Sequence, residues 1–176
     1  RSVIDPKLSL YTDLIKEHPF LEYSVLMPWI GGYTWFEILG DNKGESKIPA
    51  FSKGTSVYYA SQLARALASL EAKGYAHCDV CSNNIILDFN NSSVQLIDIE
   101  DMYLPGAFRS DDFIGGQNGY AHPNRSLGHQ WMKESDRFGG GMLISEILTW
   151  CDPKIREISD AESYATSSEL CKNPQK

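Results

Sequence analysis

The sequence predicts an α+β fold, mostly helical, with one antiparallel hairpin at its chemical centre. Three observations carry that expectation. The run from Ser56 to Gly74 sets Ala60, Leu63, Ala64, Leu67 and Leu70 at helical spacing and stops at a glycine. Two β-rich runs, Ile85-Ile-Leu-Asp-Phe89 and Val94-Gln-Leu-Ile-Asp98, flank Asn90-Asn-Ser-Ser93, which has the composition of a hairpin turn. A third run, from Asp136 to Trp150, is apolar on most sides through Met142, Leu143, Ile144, Ile147 and Leu148, and reads as a buried helix.

In chain order, Tyr23-Ser-Val-Leu-Met-Pro28 reads as a strand closed by proline, and Gly31-Gly32 as the turn beyond it. The polar stretch from Gly40 to Thr55 separates this small opening piece from the main body. Residues 99 to 134 scatter Gly, Pro, Asp and Asn with weak periodicity, too long for an ordinary connection and therefore expected to be functional. Within the last helix, Gly139-Gly140-Gly141 would each cost about 1 kcal/mol relative to alanine. Close approach of another backbone is the expected compensation, since only glycine leaves the room. The last 26 residues are mixed and polar, without a strong pattern.

At 176 residues and 42% apolar content the chain can bury a sizeable core. A net charge of −7 provides no basic footprint for nucleic acid or anionic lipid, so neither is an expected partner. No apolar run approaches the roughly 18 residues of a membrane span, and no signal-like segment follows Arg1, so the expected location is cytoplasmic. Cys78, Cys81, Cys151 and Cys171 are too few and too unevenly spaced for a disulfide framework and read as free thiols. The C-x-x-C of Cys78 and Cys81 lacks the second pair that a zinc site needs.

The chemistry concentrates at the open end of the hairpin. Folding it about a turn near positions 91 and 92 brings Asn84 across from Asp98. An amide oxygen and a carboxylate placed together there suit Mg²⁺, which favours oxygen ligands and completes its shell with water and phosphates. Asp79, five residues before Asn84, lies on the loop leading into the same hairpin, near enough to act on a substrate held by the metal.

His77-Cys-Asp-Val-Cys-Ser-Asn-Asn84 resembles the protein kinase catalytic loop H-R-D-x-x-x-x-N. Downstream, Leu96-Ile-Asp-Ile-Glu100 stands where the D-F-G segment stands, and Gly115-Gly-Gln-Asn-Gly-Tyr-Ala-His-Pro-Asn124 is similar to the close of a kinase activation segment. Asp136-Arg-Phe-Gly-Gly-Gly141 resembles the D-x-W-x-x-G opening of that lobe's central helix, and His18-Pro19-Phe20 the loop after the regulatory helix. The similarity covers residues 10 to 152. It implies a eukaryotic-like protein kinase fold: residues 1–30 an N-lobe remnant with the hinge strand, residues 31–176 a C-lobe, cut short at both ends. It further implies that Asp79 and Asn84 are catalytic, Asp79 accepting the proton of a serine or threonine hydroxyl of a protein substrate. Asn84 and Asp98 would hold Mg²⁺ on ATP, with Glu100 a further candidate ligand. Met27, Pro28, Trp29, Leu87 and Ile97 would contact the nucleotide, Leu87 as part of the adenine floor.

Several positions depart from the pattern. The chain shows no G-x-G-x-x-G and no V-A-I-K lysine. Cys81 stands in place of the lysine that steadies the phosphoryl group, which should slow the chemical step. Cys78 replaces the arginine that pairs with a phosphorylated activation loop, so activity is expected not to depend on that modification across Phe108 to Ile114. Asn124 replaces the usual acid after the proline, leaving polar hydrogen bonds to anchor the segment. Two alternatives stand beside the protein kinase: a catalytically impaired scaffold module, and a small-molecule kinase of the aminoglycoside and choline kinase type, which Asp98-Ile-Glu100 also fits.

Overall fold

A computed structural model describes residues 2–41, 48–109, 113, 115–122 and 131–156. The chain divides into two units, Arg1–Gly31 and Gly32–Lys176. In the first, β1 (Ser2–Val3) pairs antiparallel with β2 (Val25–Leu26), with α1 (Thr12–Glu17) between them. The strand expected over residues 23–28 is therefore only two residues long. Tyr23 takes a left-handed φ of 61° while its amide donates to the Ile4 carbonyl at 2.9 Å, and a bent backbone cannot continue the ladder.

The second unit begins with β3 (Tyr33–Thr34) and α2 (Trp35–Gly40), neither expected from periodicity. Thr34 and Glu37 form a capping box: Glu37 N–H donates to Thr34 Oγ1 at 3.1 Å, and Thr34 N–H donates to Glu37 Oε2 at 2.7 Å. That T-x-x-E spacing was the available signal. The long helix α3 (Lys53–Ala72) starts three residues before the expected Ser56, because Ser52 caps it by accepting from Thr55 N–H at 3.0 Å. It ends before Gly74, whose φ of +79° suits a residue without a Cβ.

The expected hairpin forms as β4 (Ile85–Asp88) and β5 (Ser93–Leu96), paired Ile85↔Leu96 through Asp88↔Ser93. Asp88 holds the turn: Oδ1 accepts from the amides of Asn90 and Asn91 at 2.9 and 3.0 Å, and Oδ2 from Asn91 Nδ2 at 2.7 Å. The hairpin gains a third strand, because β3 pairs with β4 through Tyr33↔Leu87 and Thr34↔Ile86. Gly32 makes that pairing possible. At φ +119° a Cβ there would lie 2.5 Å from the Leu87 carbonyl oxygen.

The last long helix, α4 (Asp136–Thr149), packs on α3, followed by the short α5 (Pro153–Arg156). Leu143 and Ile147 are fully buried, whereas Leu148 is 42% exposed, so the helix has one solvent face that its composition hides. Trp35 anchors the core, its ring meeting Phe51 and Trp150 edge-on at 5.9 and 5.5 Å. Of the three glycines, Gly139 meets the expectation of close backbone approach: a Cβ would lie 2.7 Å from the Val80 carbonyl oxygen and 2.9 Å from that of Tyr120. At Gly140 the neighbour is a side chain, Leu67, at 2.5 Å, and at Gly141 nothing lies within 4 Å. No helix among the described residues is long and apolar enough to cross a membrane.

Candidate functional site

Asp79, Asn84 and Asp98 come together around the loop between α3 and β4. Asn84 closes the short turn Ser82–Asn84, and its Nδ2 donates to both the Asp79 carbonyl, at 2.9 Å, and Asp79 Oδ2, at 2.8 Å. A carboxylate can only accept, so the amide nitrogen must face Asp79. That fixes the orientation of Asn84 and leaves its Oδ1 without a hydrogen bond among the described residues. The hairpin register sets Asn84 opposite Ile97, whose N–H donates to the Asn84 carbonyl at 3.0 Å. Asp98 is thus one residue beyond the position directly across from Asn84, a small correction to the hairpin arithmetic.

Both loop ends carry backbone strain. Cys78 and Asp98 have φ of 66° and 60°, the left-handed region that costs non-glycine residues about 1–2 kcal/mol. Hydrogen bonds hold them there. His77 Nε2 bonds the Ile97 carbonyl at 2.7 Å, just before Asp98, and the Asp136 carboxylate accepts from His77 N–H at 2.7 Å and Cys78 N–H at 2.8 Å. His77 is fully buried and its Nδ1 has no hydrogen-bond partner among the described residues, so it acts as an architectural strut and not as a base exposed to substrate. Asp136 ties down this loop rather than capping its own helix, since Ser135 is the N-cap residue and makes no side-chain cap bond.

The electrostatics are those of crowded carboxylates. A hydrogen bond with the Glu100 side chain, partial desolvation and the charges of Glu100 and Asp79 push the Asp98 carboxyl up to about 6. Desolvation, with Asp79 and Glu100, also raises Asp101. Among the described residues no group of three His, Cys, Asp or Glu side chains is placed to hold a metal alone. The donors present are Asn84 Oδ1, Asp98 and Glu100. Their chemistry fits a hard divalent cation that keeps waters and phosphate oxygens in its shell.

A pH dependence follows from the raised Asp98 value. The folded protein binds this proton more tightly than the unfolded chain, so its contribution to stability is complete below the ordinary carboxylate range near 4 and is lost as pH rises through about 6. A cation held there would compete with the proton. Stabilisation by Mg²⁺ is expected to be present at pH 7.5 and to shrink by up to about tenfold in apparent affinity per unit below pH 6. Melting curves with and without Mg²⁺ at pH 5.0 and 7.5 check this, and an equal shift at both values would remove Asp98 from the site.

The two cysteines provide no positive charge. Burial, with the nearby Asp79 charge, pushes the Cys81 thiol up to about 11, and burial pushes Cys78 up to about 11. Both stay neutral at pH 7. In the described part of the 115–124 segment, Tyr120 O–H donates to Glu146 Oε2 at 3.0 Å, and Asn83 Nδ2 to Gln117 Oε1 at 3.2 Å. Glu146 also accepts from Trp35 Nε1 at 2.9 Å, a role invisible in its helical periodicity. Asn124, Ser110 to Asp112 and Ile114 lie outside the described residues.

The expected nucleotide contacts fare unevenly. Leu87 is fully buried beside Ile85 in the core, so it offers no open face for an adenine. Side chains alternate along a strand, and the partly exposed face of β4 belongs to Ile86. Ile97 is half-buried, and its backbone is bonded on both sides. Met27, Pro28 and Trp29 belong to the first unit, where all three are exposed, Trp29 at 95%.

The fold is kinase-like by its similarity to a solved structure. A solved structure similar to this chain is that of the Cydia pomonella granulovirus kinase PK-1, at 15% sequence identity and a TM-score of 0.51, over 70% of this chain. The match spans 42% of that kinase, so the chain corresponds to less than half its length. No family model matches, and no curated protein matches.

Proposed function

We propose that the chain carries the catalytic half of an ATP- and Mg²⁺-dependent phosphotransferase acting in the cytoplasm on serine or threonine hydroxyls of proteins. Asp79 orients the hydroxyl and accepts its proton. Asn84 and Asp98, with Glu100, hold Mg²⁺, which neutralises charge on the phosphates. In the second unit, Ile97 and, in place of Leu87, Ile86 are the proposed adenine contacts. On this reading residues 1–30 are an N-lobe remnant and residues 31–176 a C-lobe. The observation that carries the proposal is the Asn84 amide pinned to Asp79, the same carboxylate whose charge acts on Asp98 and Asp101.

The test is a thermal titration with Mg²⁺-ATP. At ten times its dissociation constant the ligand stabilises by about 1.4 kcal/mol, which at this size raises the melting temperature by about 3–6 °C. The shift should need Mg²⁺ and vanish in Asp98→Ala. A Mg²⁺-dependent shift that survives in Asp98→Ala would refute the assignment. A second reading, a kinase-shaped binding module, draws support from the neutral Cys81, which offers the phosphoryl group no charge. Binding of Mg²⁺-ATP without phosphate transfer by the whole protein would favour it.

A further inference from the structure

We infer that Trp131, outside every motif in the sequence, is a positioning residue for the loop that carries Asp98, Glu100 and Asp101. The inference rests on the proposed cation site and adds the device that holds its ligands before a cation arrives.

The loop is held in a strained shape. Asp98 sits at a left-handed φ of 60°, a conformation that persists only where the flanking chain over-determines it. Upstream, the strain is contained by Ile97, whose N–H bonds Asn84 and whose carbonyl bonds His77. Downstream, Met102 N–H donates to the Ile99 carbonyl at 3.3 Å across the turn from Ile99 to Met102.

Trp131 adds a side-chain hold. Its indole Nε1–H donates to the Asp101 carbonyl at 3.1 Å, and its ring meets that of Tyr103 edge-on, 5.0 Å between centroids at 84°. Tyr103 is in turn paired with Ala76, next to His77, by bonds of 2.8 and 3.3 Å. Five residues after Trp131, Asp136 grips the amides of His77 and Cys78. One short stretch, 131–136, thus clamps the ligand loop at Asp101 and the Asp79 loop at its root. Coupling the two fixes how far Asp98 stands from Asn84 and Asp79.

The experiment titrates Mn²⁺, an octahedral oxygen-seeking probe, into the full chain, following water-proton relaxation, alongside amide hydrogen exchange at residues 99–103. Trp131→Phe keeps an aromatic edge against Tyr103 and deletes only the N–H donor. Loss of one hydrogen bond should weaken Mn²⁺ about fivefold and speed exchange at 99–103, while the melting temperature stays near that of wild type. Trp131→Ala should weaken Mn²⁺ further and lower the melting temperature as well. Unchanged exchange and unchanged Mn²⁺ affinity in Trp131→Phe would overturn the inference. If wild type binds no Mn²⁺, the cation-site reading fails, and exchange at 99–103 alone then decides whether Trp131 holds the loop.

Discussion

Gly139→Ala is expected to destabilise the protein by about 3 kcal/mol or more, whereas Gly141→Ala, two residues along the same helix, should stabilise it by up to about 1 kcal/mol. The two glycines have the same helix propensity and differ only in what surrounds them. A methyl group at 139 would press on two backbone carbonyl oxygens, those of Val80 and Tyr120, at 2.7 and 2.9 Å. Neither can rotate away, because Val80 belongs to the Asp79 loop and Tyr120 is bonded to Glu146. At 141 the methyl group meets open space. Urea unfolding of the two variants checks the pair. A Gly139→Ala protein as stable as wild type would mean that α4 and the Asp79 loop lie further apart than the structure sets them.

Asp136→Ala should cost about 3–5 kcal/mol and loosen the Asp79 loop. The fully buried His77 and the buried Cys78 would each lose the acceptor for a backbone N–H, and an unsatisfied buried donor costs about 1–3 kcal/mol. Asp136→Asn keeps one acceptor oxygen but turns an N–H₂ toward the other amide, so it should fall between wild type and alanine. Hydrogen exchange adds a local readout: the His77 and Cys78 amides should exchange faster than those of α3 in both variants. If these amides keep their protection in Asp136→Ala, the bonds to the carboxylate carry little of the loop's order. Burial raises the Asp136 carboxyl while the two amides lower it, so the acceptor role opposes the desolvation of the charge.

The Asp79, Asn84 and Asp98 grouping was legible because it follows from a short-range rule. A hairpin returns the chain on itself, so a residue before the first strand and one at the end of the second come together whatever the rest of the fold does. The single-residue offset between Asn84 and Asp98 was not legible, since register depends on the turn that Asp88 closes. Leu87 shows the same limit in another form: strand parity assigns faces, but which face meets the core depends on the helices that cover it.

By itself the sequence determined the α+β class, the helices by their apolar spacing, the hairpin by its turn, and the identity of the acids at its open end, because each is a local pattern read over a few residues. Only the tertiary structure decided that Gly139 faces two backbone carbonyls and Gly141 open space, that Asp136 serves a loop 58 residues away, that Glu146 anchors Tyr120, and that Trp131 meets Asp101. Those outcomes depend on packing and hydrogen bonds between segments distant along the chain, and no local periodicity encodes which of two chemically equal residues will face a carbonyl.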